Sequence, residues 1–254
     1  MYRVGFMERI TSRRNPLATH IKRLGADRVY RVQCGEFLCD GEKLLKDAVK
    51  GNADITTILT AVNISVALPP DVRVFSAPRD LIDSLSPLKN SQGILFICKI
   101  PITRGFVYEG GTYVLLDDIQ DPGNVGSIIR TANAFGINAV LMTEQCADIY
   151  NPKTIRATMG AVFRQKVFGI TPVELLELKE KGVRIIGASM DKDSCDISSV
   201  NLKNTIITIG NEGKGISEDI LALCDEKVII PIAPECESLG AAAAAAVLMY
   251  LARG

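Results

Sequence analysis

The 254-residue chain has no tryptophan, a single histidine and a formal net charge of zero. With His20 alone, a Ser/His/Asp or Cys/His mechanism would have to run through one ring, set in a basic stretch far from any nucleophile signature. The seven cysteines, at 34, 39, 98, 146, 195, 224 and 236, form no Cys-x-x-Cys and fall at irregular spacings. That pattern speaks against a disulfide framework and against a zinc site, so no metal is expected. They read as small, half-buried hydrophobes. No apolar run approaches the roughly 20 residues of a bilayer span, and the opening MYRVGFMERITSRRNP lacks the apolar stretch of a secretory signal. The expectation is a cytoplasmic protein with no membrane partner.

Hydrophobic residues make up 47% of the chain and charged ones 23%, enough apolar content for two domains with cores of their own. The charge is unevenly spread. Residues 1–33 hold Arg3, Arg9, Arg13, Arg14, Lys22, Arg23, Arg28 and Arg31 against Glu8 and Asp27. A basic arm on an otherwise acidic chain suits phosphate contact, with Arg13, Arg14, Lys22 and Arg23 as candidates. The alternative is a solvated helix face.

Two βα sets are visible. In the first, short apolar runs at 36–39, 55–60, 72–76 and 93–100 enclose helical patterns at 42–50 and 78–86. The Gly-containing stretch TRGFVYEGG, 103–111, reads as a linker, which predicts domains at 1–106 and 107–254. In the second set the continuous runs YVLLDD, NAVLMT, VRIIGAS, TIITIGN and KVIIPI alternate with helices expected at 124–135, 152–163, 172–181, 217–223 and 238–252. Continuous rather than alternating apolarity predicts an α/β fold whose mostly parallel sheet is covered on both faces. Ligands of such sheets bind beyond the carboxyl ends of the strands.

Three clusters lie there. In LLDDIQDPGNVGSIIRTANAFG, 115–136, Asp-Pro-Gly-Asn marks a turn and Asn124 is expected to cap the helix that follows. Val125, Ile128, Ile129, Ala132 and Phe135 form its apolar stripe, and Arg130 projects from the opposite face, one turn after Gly126. A glycine there would leave a gap above the backbone for a ligand. IITIGNEGKGISEDIL, 206–221, is a strand, a glycine-rich turn and a helix capped by Ser217. It lacks the Gly-Lys-Ser/Thr of a phosphate loop. In KVIIPIAPECESLGAAAAAAVLMYLARG, 227–254, a loop with Glu237 and Ser238 leads into an alanine-packed helix that implies close neighbours on more than one side.

In this order and spacing the clusters resemble the three motifs of the SpoU (TrmH-like) family of RNA ribose 2′-O-methyltransferases, within the SPOUT superfamily. YNPKTIRATMGAVFRQKV, 150–167, resembles the segment between its first two motifs. SRRNPLATHIKRL, EFLCDGEKLL and SPLKNSQGILFICKI are similar to the family's ribosomal-protein-like substrate-binding domain. The resemblance implies a trefoil α/β knot in the C-terminal domain, a homodimer with its sites near the interface, S-adenosylmethionine as cofactor, and ribosomal or transfer RNA as substrate. By position, Asn124, Arg130, Glu212 and Ser238 match catalytic or site-shaping residues. Gly210, Asn211, Gly213, Ile230, Ile232 and Leu239 fall where the family grips the cofactor.

One departure concerns the third motif, usually Ser-Leu-Asn in the family and Ser238-Leu239-Gly240 here. It keeps open an alternative reading, a non-catalytic RNA-binding protein on the same fold. Another alternative, an unrelated nucleotide-binding α/β enzyme, lacks a phosphate-loop lysine. On the methyltransferase reading, Arg130 orients RNA phosphate and steadies oxyanion charge rather than acting as base, because a guanidinium stays protonated.

Overall fold

A computed structural model describes residues 8–102, 105–191 and 193–253; Arg3 of the basic arm lies outside them. The chain divides into two compact units, one built from the chain up to Ile102 together with Tyr150–Phe163, the other from the remainder. A single boundary near residue 106 therefore does not describe the division, since the chain passes between the units three times.

The first unit opens with α1 (Pro16–Ala26). The Asn15 side chain accepts the Leu17 N–H and Pro16 fills the first turn. Ala18, Ile21 and Leu24 bury one face, and the helix stops where Asp27 turns extended and caps α2 (Arg28–Cys34) through the Tyr30 N–H. Neither helix was assigned from the sequence, because charged residues dilute the short apolar stripe of the first. The arm's exposed surface comprises Arg9, Arg13 and Arg14 ahead of α1 and Lys22, Arg23 and Arg28 on the two helices. Arg31 is not part of it: it is 3% exposed and donates to the Leu24 carbonyl at 2.6 Å.

There follow β1 (Glu36–Asp40), α3 (Glu42–Lys50), β2 (Ile55–Thr60), β3 (Arg73–Ser76), α4 (Arg79–Leu85) and β4 (Ile94–Lys99). Their sheet has the order β1-β4-β2-β3, antiparallel except for β2 with β3. One face packs on α1 and α4 through Ile21, Leu24, Leu81 and Ile82. The other buries Phe37, Leu45, Ile58 and Phe96.

The second unit contains β5 (Tyr113–Leu116), α5 (Pro122–Phe135) and β6 (Ala139–Met142) before the chain contributes α6 (Pro152–Thr158) to the first unit. There Ile155 is 1% exposed in the core, and Tyr150 and Phe163 lie 4.6 and 6.4 Å from the Phe37 ring. The helix expected over 152–163 ends at Thr158, where Met159 turns left-handed at φ 48° ahead of Gly160.

The chain continues with β7 (Val167–Gly169), α7 (Pro172–Glu180), β8 (Arg184–Ala188), β9 (Cys195–Asp196), β10 (Thr205–Ile209), α8 (Glu218–Leu221), β11 (Glu226–Ile229) and α9 (Ala241–Ala252). The sheet order is β7-β6-β5-β10-β8-β11-β9 and every pairing is parallel. The central strands are buried along their length, as continuous apolarity predicts. The short strands β7 and β9 carry too few apolar residues to be read from sequence.

Ala241, Ala245, Leu248, Met249 and Ala252 face the unit, whereas Val247, Tyr250 and Leu251 are 38–47% exposed. Within the chain α9 packs chiefly against α5, where Phe135 meets Tyr250 edge-on at 5.8 Å.

Candidate active site

Because all seven strands of the second unit run parallel, their exits share one edge of the sheet. At the β5 exit, α5 is capped by Asp121, whose Oδ1 accepts the Asn124 N–H at 2.9 Å. Asn124 is thus not the cap but the third helical residue. Its side chain is free to reach across and donates from Nδ2 to Glu212 Oε1 at 2.8 Å. Gly126, expected to leave a gap for a ligand, is instead buried with Val125, Ile128 and Ile129 on the packed face. Arg130 is exposed on the outer face, as its position off the stripe requires.

The β10 exit is a tight loop. Asn211 and Gly215 exchange backbone hydrogen bonds at 2.8 and 3.0 Å, with Gly215 left-handed at φ 74°. A Cβ on Gly210 would lie 2.2 Å from the Gly215 carbonyl carbon and the Ile216 nitrogen, so only glycine fits. The Asn211 side chain holds the loop from within: Oδ1 accepts the N–H groups of Gly213 and Lys214 at 2.9 and 3.1 Å, and Nδ2 donates to the Asp118 carbonyl at 2.7 Å. Ser217 precedes α8 without a side-chain cap bond; its N–H donates to buried Asp117 at 2.7 Å.

Glu212 ties this loop to the β5 exit. Besides Asn124, the backbone N–H groups of Gln120 and Asp121 donate to its carboxylate, each at 3.4 Å. Partial burial pushes the carboxyl up, but the bond from Asn124, with those from backbone N–H groups, outweighs it and holds Glu212 below its ordinary value. It is an anion at neutral pH.

The β11 exit is open by comparison. Ile230 and Ile232 are half-buried, and residues 233–240 are exposed throughout, including Ser238 and Leu239. Within it the Cys236 N–H donates to the Ala233 carbonyl at 2.9 Å. Among the described residues, no hydrogen bond joins Arg130 or Ser238 to the Asn124–Glu212 pair. No group of three or more His, Cys, Asp or Glu side chains among the described residues can hold a metal ion.

In the first unit Arg13, Arg14, Lys22 and Arg23 are all exposed. The Arg23 guanidinium stacks 3.6 Å from the Tyr30 ring centre. His20 bridges Tyr30 Oη at 2.8 Å and Glu36 Oε2 at 2.9 Å, a structural tie between the helices and β1.

Comparison with known proteins bears on this arrangement. Residues 111–250 match the model of the SpoU rRNA Methylase family. The chain belongs to that family. The chain is 30% identical, over 98% of its length and 100% of the relative's, to the 23S rRNA (guanosine(2553)-2'-O)-methyltransferase RlmP of Bacillus subtilis (strain 168). It is 29% identical to the 23S rRNA (uridine(2479)-2'-O)-methyltransferase of Streptomyces viridochromogenes, over 95% and 90% of the two chains. Among solved structures, it is similar to the SpoU methyltransferase AviRb of Streptomyces viridochromogenes in complex with the cofactor AdoMet. There the TM-score is 0.83 at 27% identity, covering 93% of this chain and 96% of that one.

Within this SpoU member, sequence reasoning missed the residues that join the loops. Asp117, Asp118, Gln120 and Asp121 carry the bonds described above; the sequence signals were the pair of aspartates closing YVLLDD and, for Asp121, the Asp-Pro-Gly-Asn turn. Strand order adds a further neighbour. β8 lies between β10 and β11, so Ser189 and the exposed Met190 at its exit fall between the β10 and β11 exit loops.

Proposed function

We propose that this SpoU family member transfers a methyl group from S-adenosylmethionine to a ribose 2′-OH of ribosomal or transfer RNA. The observation that carries the reading is the 2.8 Å bond between Asn124 and Glu212, which locks the first and second motif loops together at the shared strand edge. The bare Gly210 exit and the exposed backbone of 233–240 fit a cofactor held largely by main-chain groups, with Asn211 and Gly213 shaping one loop and Ile230, Ile232 and Leu239 contributing the other. When bound, the cofactor supplies a methyl group on a sulfonium.

The chain's own contribution is alignment, which supplies several kcal/mol in reactions of this kind. Asn124 and Glu212 fix the loops. Arg130, presented on a rigid helix, orients RNA phosphate and steadies charge on the attacking oxygen. Ser238 closes over the substrate side from the open loop. As the new C–O bond forms and the S–CH3 bond breaks, the 2′-OH proton leaves; the protonated ether is acidic enough for water to take it. Glu212, held ionised by its donors, is a weak base and serves as an orienting anion.

The first unit is the RNA-holding part, through Arg13, Arg14, Lys22 and Arg23. The second is the methyltransferase part, with the family's trefoil knot. The exposed face of α9 around Val247, Tyr250 and Leu251 is the homodimer contact. No helix among the described residues is long and apolar enough to cross a membrane, and the protein acts in the cytoplasm. Ribose-methylation mapping of cellular RNA with and without the gene tests the activity: a 2′-O-methyl lost on deletion and restored by the purified protein with S-adenosylmethionine is expected. No such nucleotide, in a protein that still binds RNA, would favour the non-catalytic reading that Gly240 keeps open. Neutralising the four basic residues should flatten the salt dependence of RNA binding, each lost phosphate contact removing a log–log slope of about 0.7–0.9. Sedimentation at micromolar concentration should show a dimer.

A further inference from the structure

We infer that Asp118 is a positioning residue for the Glu212 carboxylate, acting through the left-handed backbone turn that it holds. The inference rests on the proposed place of Glu212 in the site. Asp118 has φ 56°, a conformation that side chains other than glycine, asparagine and aspartate rarely adopt. Bonds from separate strand exits hold it there. Its N–H donates to Thr143 Oγ1, after β6, at 3.0 Å. Its carbonyl accepts from Asn211 Nδ2, after β10, at 2.7 Å. Its own Oδ1 accepts from Gln120 Nε2, which also donates to the Gln145 carbonyl at 2.7 Å. The chain then buries Ile119 completely and presents the next two N–H groups, of Gln120 and Asp121, to Glu212. A backbone forced out of the left-handed region at 118 would swing those donors away.

The sign of the effect separates this role from simple electrostatics. The groups that hold the Glu212 carboxylate are the Asn124 amide and the backbone N–H groups of Gln120 and Asp121. Deleting the Asp118 charge alone takes away an anion and so cannot raise the Glu212 pKa. Losing the two N–H donors raises it.

The test is a carboxyl NMR titration of Glu212 in the full chain, with turnover measured alongside. Asp118→Gly keeps the left-handed turn, and Asp118→Asn keeps both the turn and the acceptor for Gln120. Both should leave the Glu212 titration at or below that of the parent, and Asp118→Asn should keep turnover within about twofold. Asp118→Ala should raise the Glu212 pKa and lower kcat by about tenfold or more, the scale expected of a small misplacement of aligning groups. Thr143→Val, which removes the acceptor of the Asp118 N–H without touching position 118, should move the titration in the same direction and serves if the alanine variant does not fold. A Glu212 titration unmoved or lowered in Asp118→Ala, or in Thr143→Val when the former is unfolded, overturns the inference. A raised titration with unchanged turnover supports positioning by Asp118 and counts instead against Glu212 as part of the active site.

Discussion

The loops at the β5 and β10 exits and the loop at the β11 exit are all assigned to one site, yet they are built on opposite plans. The first two are bound to each other. Asn211 saturates its side chain on its own loop and on Asp118, and Glu212 gathers donors from Asn124, Gln120 and Asp121. The third, residues 233–240, is exposed along its length. A preorganised half does not have to be ordered when the ligand arrives, so it loses little entropy on binding, whereas an open half pays that cost on closing. In the proposed site the firm loops would then set geometry and the open loop access. Hydrogen exchange checks this directly: amides of 211–215 should be protected in the free protein, while those of 233–240 should exchange fast and gain protection when S-adenosylmethionine is added. Equal protection in both loops without ligand would break the comparison.

The largest effect belongs to the residue that the firm half carries outward. Arg130 stands on the exposed face of α5, off the buried stripe of Val125, Ile128 and Ile129. Arg130→Ala should leave the fold, the oligomeric state and cofactor affinity close to those of the parent. Turnover should fall by about 10²–10³, the usual scale for one lost donor to developing charge. Arg130→Lys should recover little, because an ammonium keeps charge but loses the planar fork. Parent-level methylation by Arg130→Ala on the natural RNA would remove Arg130 from the mechanism.

Next comes the firm loop itself. Gly210→Ala places a carbon 2.2 Å from backbone atoms of Gly215 and Ile216, which cannot turn away as a side-chain tip can. Overpacking costs about 1–3 kcal/mol in adaptable cores; against backbone the upper end applies, and about 3 kcal/mol is roughly a 100-fold loss. Calorimetry should show S-adenosylmethionine affinity reduced on that order, whereas Glu237→Ala in the open loop should change it by less than about threefold. If the two variants lose affinity equally, the division between firm and open loops does not hold.

The same contrast explains what could be read from the sequence. Continuous apolar runs locate strands buried on both faces, so β5, β6, β8 and β10 were legible. Asn124, Glu212 and Gly210 were singled out by the family resemblance, and the structure adds the 2.8 Å Asn124–Glu212 bond. What escaped was of two kinds. Asp121 and Asn124 both suit a helix N-terminus, and only the path of the chain decides that the first caps while the second reaches Glu212. Membership of 150–163 in the first unit depends on Phe37 receiving Tyr150 and Phe163, a tertiary choice that local periodicity does not encode. The β8 exit had a visible strand but no special residue, and its place between the β10 and β11 exits comes from strand order alone.

The smallest expected effect is at Gly240, where the open loop meets α9. The family's third motif usually has asparagine there. Gly240 adopts φ −60° and ψ 148°, which any residue can take, and a Cβ at this position would meet nothing within 4 Å. It also stands at the N-cap of α9 without a side-chain cap bond. Asparagine is a better N-cap than glycine by only a few tenths of a kcal/mol, so Gly240→Asn should raise the melting temperature by no more than a degree or two. If the firm loops set the geometry, as Glu212 and its donors argue, the parent is already active and the added amide should change turnover by less than about threefold. A parent that binds S-adenosylmethionine but does not methylate, together with an active Gly240→Asn variant, would reverse that judgement. It would place the decisive catalytic group in the open loop and make the natural chain an RNA-binding relative of the enzymes it resembles.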